Sequence, residues 1–309
     1  MKMIVDSNYL QCEALRDYLS ASTENCAVLT DYAAMEAFKG NTQVIYRSME
    51  ILAESPNQVI VLKSTQDVCG ISPSDAVRPD GLIDFDQTRG FAAFCYHLAR
   101  AKCGDPSLRM QLAQSGREAA AHMDRILADM PQLNLGIEQI AATYSAEELK
   151  ILRRREPLTP KMGEKLIHQV MLLAGELFSK HPRVAEVPGG PEVRNTFIFR
   201  HAICAYALAL RAIEDGAGGR ARPQKLRNDY VDVNFATFAT FFDGLLSADK
   251  KAQSIYVEAK FLLREISRGR AVRDEDLGSG GQPAEVKKGG TENSNWQYQV
   301  RPASRKHEP

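Results

Sequence analysis

The sequence predicts an α/β fold: a parallel sheet flanked by helices and interrupted by a long all-helical insertion. Short apolar runs alternate with helical patterns up to about residue 65, as is typical of parallel strands joined by helices. Only helical periodicity follows, and the alternation resumes near residue 225. We therefore expect residues 1–65 and 225–268 to form an α/β core, residues 66–224 a helical insertion, and residues 269–309 a disordered tail.

Three apolar runs in the first part of the chain have the length and composition of strands. They are Met3–Val5, Cys26–Leu29 and Val59–Leu62. Thr30 follows the second run and can cap a helix over Tyr32–Phe38. A further helix is predicted from Thr42 to Glu54, so strands and helices alternate and parallel pairing is expected.

The middle of the chain has the apolar spacing of helices only. We predict helices at 91–103, 106–129, 145–155, 159–180 and 194–215. A helix over 229–241, a fourth strand at Gly244–Ser247 and a helix over 250–268 then restore the α/β pattern. From Gly269 onward glycine, charged and polar residues dominate, and this composition predicts disorder.

Composition limits the class of protein. Apolar residues make up 44% of the 309 residues, which is enough for a sizeable core. The six cysteines form no CxxC pair, and no apolar run approaches the ~20 residues of a membrane-spanning helix, so we expect a cytoplasmic protein that does not bind membranes. With 39 basic and 39 acidic residues, any nucleic-acid binding must come from local patches.

Carboxylates recur at the ends of the predicted strands and on the neighbouring helices. Asp6 ends the first strand, Glu36 lies in the helix after the second, Asp232 lies in a helix before the last strand, and Asp249 follows that strand. Side chains at the carboxyl ends of parallel strands share one edge of the sheet. An all-oxygen cluster suits Mg²⁺ or Mn²⁺, which can activate water and neutralise a phosphate.

These segments resemble the motifs of PIN domains. The run from Ile4 to Asn8 is similar to the opening strand of that family, whose Asp begins the site, and Tyr32–Glu36 resembles the helix with the second acid. The helix containing Asp232 resembles the one with the third acid, and Leu245–Asp249 resembles the strand and Ser-x-Asp that complete the site. The resemblance covers roughly residues 1–65 and 225–266 and leaves the helices between them outside the common core.

The resemblance implies a metal-dependent endonuclease with RNA rather than DNA as the favoured substrate. Asp6, Glu36, Asp232 and Asp249 would be the catalytic and metal-binding residues. Asp229 competes with Asp232 for the third position, and the helical register favours Asp232. Additional candidates are Ser7 or Asn8 to orient a ligand or water, Ser247 in the closing motif, and Lys225 and Arg227 to contact a phosphate backbone.

Two other functions remain open from the sequence. Arg194 and His201, placed on one predicted helix, resemble the Arg–His motif of HEPN ribonucleases, which cleave RNA without a metal. Alternatively, the chain is a non-catalytic interaction module whose helical insertion binds a protein partner. In that case Asp6 and Asp249 are helix caps, Asp232 interacts with a helix dipole, and Glu36 is solvated.

Overall fold

A computed structural model describes residues 1–39, 41–72, 79–184, 187–216 and 222–267. The predicted tail at 269–309 lies outside the described residues. Within these ranges the chain forms a small parallel sheet flanked by many helices, which is the α/β class that the sequence predicts.

The sheet contains four parallel strands in the order β3-β2-β1-β4. Their bounds are Lys2–Val5 for β1, Cys26–Leu29 for β2, Val59–Val61 for β3 and Gly244–Leu246 for β4. The predicted pairing of the last strand beside the first is confirmed, because Ile4 pairs with Leu245 and Val5 with Leu246. The carboxyl ends of β1 and β4 are therefore immediate neighbours, although some 240 residues separate them in sequence.

Helices flank the sheet. In the first part of the chain they are α1 Glu13–Ser20, α2 Asp31–Phe38, α3 Thr42–Glu54 and α4 Thr65–Cys69. The predicted cap of α2 is present, since the Thr30 hydroxyl accepts a hydrogen bond from the Ala33 amide at 3.1 Å. That cap fixes the start of α2 directly after β2, and so fixes which residues of α2 lie at the carboxyl edge of the sheet.

The middle of the chain is helical, as predicted. Its helices are α5 Phe85–Lys102, α6 Pro106–Ala142, α7 Ala146–Arg153, α8 Pro160–Lys180 and α9 Phe197–Glu214. The predicted end of the second of these at residue 129 is wrong, because α6 continues through Pro131. Met130 and Ile137, on either side of the proline, are buried in an apolar cluster with Ala209 and Leu226, and this packing offsets the helix-breaking effect of proline.

The last two helices are α10 Pro223–Ala239 and α11 Lys250–Ser267. The predicted start of α10 at residue 229 is too late, because Pro223 occupies the first turn, where its missing N–H costs nothing. The helices α9, α10 and α11 pack on one another. Buried side chains of the sheet and of the helical segment belong to one continuous core. No helix of the described ranges is both long enough and apolar enough to cross a membrane.

Candidate functional site

Asp6 lies at the carboxyl end of β1, where β4 runs alongside. Its amide donates to the Leu246 carbonyl at 2.9 Å, and its side chain is only 2% exposed. The carboxylate accepts hydrogen bonds from the Ser247 hydroxyl at 2.5 Å and from the Ser7 hydroxyl at 3.3 Å. Two serines, one after each strand, therefore hold the orientation of a buried acid.

Glu36 lies on α2 and reaches the same place. The Ser7 hydroxyl contacts the Glu36 carboxylate as well as that of Asp6, so this serine links the two acids. Lys39, which directly follows α2, forms an ion pair with Glu36 at 3.5 Å. The Ser7 side chain thus connects the end of β1 to α2.

Asp249 is held in the turn between β4 and α11. Its amide donates to the Ser247 hydroxyl at 2.9 Å, and its carboxylate accepts from the Lys251 amide at 2.6 Å. The carboxylate therefore caps α11, as the alternative interpretation of the sequence expects. Asn8 ties the two loops together, because its side-chain oxygen accepts from the Ala248 amide at 3.1 Å.

Asp232 lies on α10, in reach of the charges of the other acids. Its pKa is raised to about 8, first by burial and then by the negative charges of Asp249, Asp6 and Asp229, while Lys251 opposes the shift. In the described part of the chain no side chain or amide donates a hydrogen bond to it. This half-buried carboxylate thus lies beside like charges, and no described side chain or amide donates a hydrogen bond that would stabilise its ionised form.

The charges of the four predicted acids act on one another. The pKa of Asp6 is raised by burial and by the charge of Glu36, against hydrogen bonds from Ser247, Asn8 and Ser7. Ser7 and Ser247 link Asp6 to Glu36 and to the Asp249 turn, and Asp232 lies near enough for the charges of Asp6 and Asp249 to raise its pKa. The pairing of β1 with β4 places Asp6 beside the turn that contains Asp249, although the two residues are far apart in sequence.

The side chains do not form a closed ligand set for a metal. Among the described residues no three His, Cys, Asp or Glu side chains are arranged to hold one ion. Three of the acids accept hydrogen bonds from protein groups: Asp6 from a hydroxyl, Glu36 from an ammonium and Asp249 from an amide. The donor chemistry nevertheless fits a hard cation, because it is all carboxylate oxygen and two of the acids have raised pKa values.

Asp229, the competing third acid, has a different partner. It is 8% exposed and forms an ion pair with Lys251. The two aspartates of α10 therefore have different surroundings. The charge of Asp229 is balanced by the Lys251 ammonium, whereas Asp232 forms no ion pair among the described residues. Sequence reasoning missed Lys251, and the available signal was a lysine two residues after Asp249, in the first turn of α11.

The predicted phosphate-contacting residues lie near the start of α10, before the two aspartates. Lys225 is exposed and lines a narrow cleft with Asp229 and Lys251. Arg227 is half-buried and donates to the Asn228 side chain at 3.2 Å. Lys225 therefore lies next to the Asp229–Lys251 ion pair and not among the four carboxylates.

The prediction that Arg194 and His201 share a helix is wrong. Arg194 lies in the 3-10 turn Gly190–Asn195, and Thr196 then caps α9 by accepting from the Phe199 amide at 3.2 Å. His201 lies within α9, and burial lowers its pKa to about 4. Because α9 begins only after Thr196, Arg194 and His201 do not lie on one helical face, as the seven-residue spacing had predicted.

Comparison of the chain with models of protein families, with curated proteins and with solved structures found no match. The class of protein is therefore the one that its own structure defines, an α/β protein with a small parallel sheet flanked by helices.

Proposed function

We propose that this chain is a divalent-metal-dependent endonuclease of the PIN-like kind, with RNA as its favoured substrate. The observation that supports the proposal most strongly is the raised pKa of Asp232, which is half-buried beside the charges of Asp6 and Asp249. A cluster of this kind lowers its free energy by binding a cation. The preference for RNA rests on the resemblance of the motifs around Asp6 and Asp249.

The residues of the site have distinct roles in this proposal. Asp6, Glu36, Asp232 and Asp249 hold Mg²⁺ or Mn²⁺ through carboxylate oxygens. A bound ion of this type supplies an activated water and neutralises charge on a phosphodiester.

Ser7 and Ser247 keep the Asp6 carboxylate oriented. Asn8 maintains the spacing of the two loops through the Ala248 amide. Lys225 and Arg227 attract the phosphate backbone from the same helix as Asp232.

The metal-independent alternative has less support. A general acid or base works best with a pKa near the operating pH, whereas the pKa of His201 is about 4. Arg194 lies on a separate element, before the cap of α9. The non-catalytic alternative explains Asp249 as a cap but does not explain why the half-buried Asp232 lies beside two other acids.

The test is cleavage of an end-labelled single-stranded RNA in Mn²⁺ or Mg²⁺, with and without a chelator. We expect chelator to stop cleavage, and Asp6→Asn and Asp232→Asn to slow it by about 100-fold or more, the scale on which removing one electrostatic partner slows an enzyme. Asp129→Asn is the matched control, because Asp129 is an exposed acid on α6.

Three outcomes would contradict the proposal. Cleavage that survives chelator but is lost in Arg194→Ala would assign the activity to the Arg194–His201 pair. Absence of cleavage by the folded wild type, with either metal, would favour the interaction module. Equal loss in Asp129→Asn and Asp232→Asn would show that the carboxylate cluster has no special role.

A further inference from the structure

A groove of about 580 Å³ is lined by α11, by α9 and by the two helices α7 and α8 with the segment that joins them. Its volume falls within the roughly 300–1,000 Å³ of sites that bind small molecules. Each of the four helices contributes an apolar side chain to the lining: Leu152, Leu166, Leu210 and Leu262. The groove is therefore an apolar surface built from several helices.

Two large apolar side chains at this groove are exposed. Phe261 of α11 is 60% exposed, and Leu158, between α7 and α8, is 41% exposed. Val257 lies one turn before Phe261 on the same side of α11 and is 61% exposed. Exposed apolar residues that occur singly are ordinary, whereas several that adjoin one groove form a surface of the kind that a partner covers.

The ion pairs in and next to the groove carry an excess of negative charge. Three arginines are paired with four acids there, as Arg154–Glu156, Arg155–Glu214, Arg155–Asp215 and Arg211–Glu258. Arg155 thus balances two acids at once. Burial, and next the charge of Glu258, raises the pKa of Glu214. A partner that brings positive charge is therefore favoured at this surface.

The sequence after α11 contains a segment with the matching chemistry. Trp296, Tyr298 and Val300 alternate with polar residues, and in an extended segment side chains two residues apart point to one side. From Trp296 to the end of the sequence three basic residues stand against one acid, namely Arg301, Arg305 and Lys306 against Glu308. The segment therefore combines an apolar side with a positive charge.

The chain is long enough for this segment to reach the groove. Helix α11, which contributes Phe261, ends at Ser267, about 9 Å further along the helix axis. The 28 residues between Ser267 and Trp296 can span up to about 90 Å. Because the groove and the segment belong to one chain, docking requires no encounter between molecules, and a modest intrinsic affinity is sufficient.

We propose that residues 296–301 of this chain dock in the groove, with the apolar side of the segment against Phe261 and Leu158 and with Arg301 near the acids. The apolar lining accounts for the alternation of the segment, and the excess of acids accounts for its charge. The inference concerns this surface alone and does not depend on the carboxylate cluster.

The fluorescence of Trp296 tests the inference, because the chain contains one tryptophan. In the whole chain we expect emission at a shorter wavelength than that of N-acetyltryptophanamide. Acrylamide should quench it at least about 5-fold less, since burial of a large apolar side chain favours the docked state by roughly 10-fold or more. Emission and quenching equal to those of the free amide would overturn the proposal.

Variants locate the docking. Phe261→Ser should restore the emission and quenching of the free amide, whereas Phe85→Ser, at a phenylalanine that is 52% exposed outside the groove, should leave Trp296 protected. Tyr298→Ser should weaken the protection, and Gln297→Ser, on the other side of the segment, should not.

Three results would contradict the assignment. Protection that survives in Phe261→Ser would place Trp296 elsewhere on the protein. Equal loss in Phe85→Ser would show that the effect is not specific to the groove. Protection that disappears on dilution would mean that the groove holds the segment of a second copy, and docking within one chain would be wrong.

Discussion

Replacing Asp232 by asparagine should stabilise the protein in the absence of divalent ions, and by more as the pH rises. The pKa of Asp232 is about 8 in the folded chain, against an ordinary value of 3.8. Because this pKa is raised, the folded state retains a proton that the unfolded chain has released. The stabilising effect of that proton is complete below pH 3.8 and is lost as the pH rises towards 8.

The magnitude follows from the size of the shift. Between the two pKa values the free energy of unfolding of the wild type falls by up to about 1.4 kcal/mol per pH unit. Solvent and the neighbouring acids share this titration, so from pH 5 to pH 7 we expect the stability of Asp232→Asn relative to the wild type to increase by roughly 1.5–2.5 kcal/mol. At ~2–4 °C per kcal/mol for a chain of this size, the difference in thermal midpoint should grow by roughly 3–10 °C.

The assay is thermal unfolding, followed by circular dichroism, of the wild type, Asp232→Asn and the control Asp129→Asn, with chelator present. Titrating groups far from Asp232 affect all three proteins equally, so only the difference from the wild type is used. A difference that does not change with pH, or a wild type that is more stable than Asp232→Asn at pH 7, would refute the assignment of Asp232 as a strained acid.

Three further predictions concern metal binding, the serine link and the long helix. Mg²⁺ or Mn²⁺ should raise the thermal midpoint of the wild type more at pH 8 than at pH 5, since the acids must be ionised to bind, and Asp6→Asn should remove the effect; an equal rise in Asp6→Asn would point to binding elsewhere. Ser247→Ala removes the hydroxyl that contacts both Asp6 and the Asp249 amide, so urea unfolding should show a loss of about 1–3 kcal/mol, whereas Ser247→Thr should retain most of the stability. Pro131→Ala should stabilise α6 by up to about 3 kcal/mol, and a destabilised variant in urea unfolding would show that the proline ring contributes to packing.

The sequence predicts the elements that depend on local patterns. The bounds of β2 and α3, and the cap at Thr30, follow from short apolar runs and capping preferences, and the structure confirms them. The continuation of α6 through Pro131 could not be predicted, because it depends on packing against Ala209 and Leu226, which are distant in sequence.

The four acids were predicted as a group, but their partners were not. Asp6 and Asp249 follow two adjacent parallel strands, so their proximity is a consequence of the strand pairing, whereas Glu36 and Asp232 lie on α2 and α10. The ion pair of Asp229 with Lys251 and the role of Ser7 between Asp6 and Glu36 depend on side-chain positions that no spacing rule gives.

The pairing of β1 with β4 also has a consequence for synthesis of the protein. Ser247, which orients Asp6, is made some 240 residues after it, and Asp232 and Asp249 are made with it. During translation the ribosome therefore exposes Asp6 and Glu36 long before the other half of the site exists. A nascent chain that stops anywhere in the helical segment contains only two of the four acids. Any chemistry of the complete cluster is thereby withheld until β4 has emerged and paired with β1.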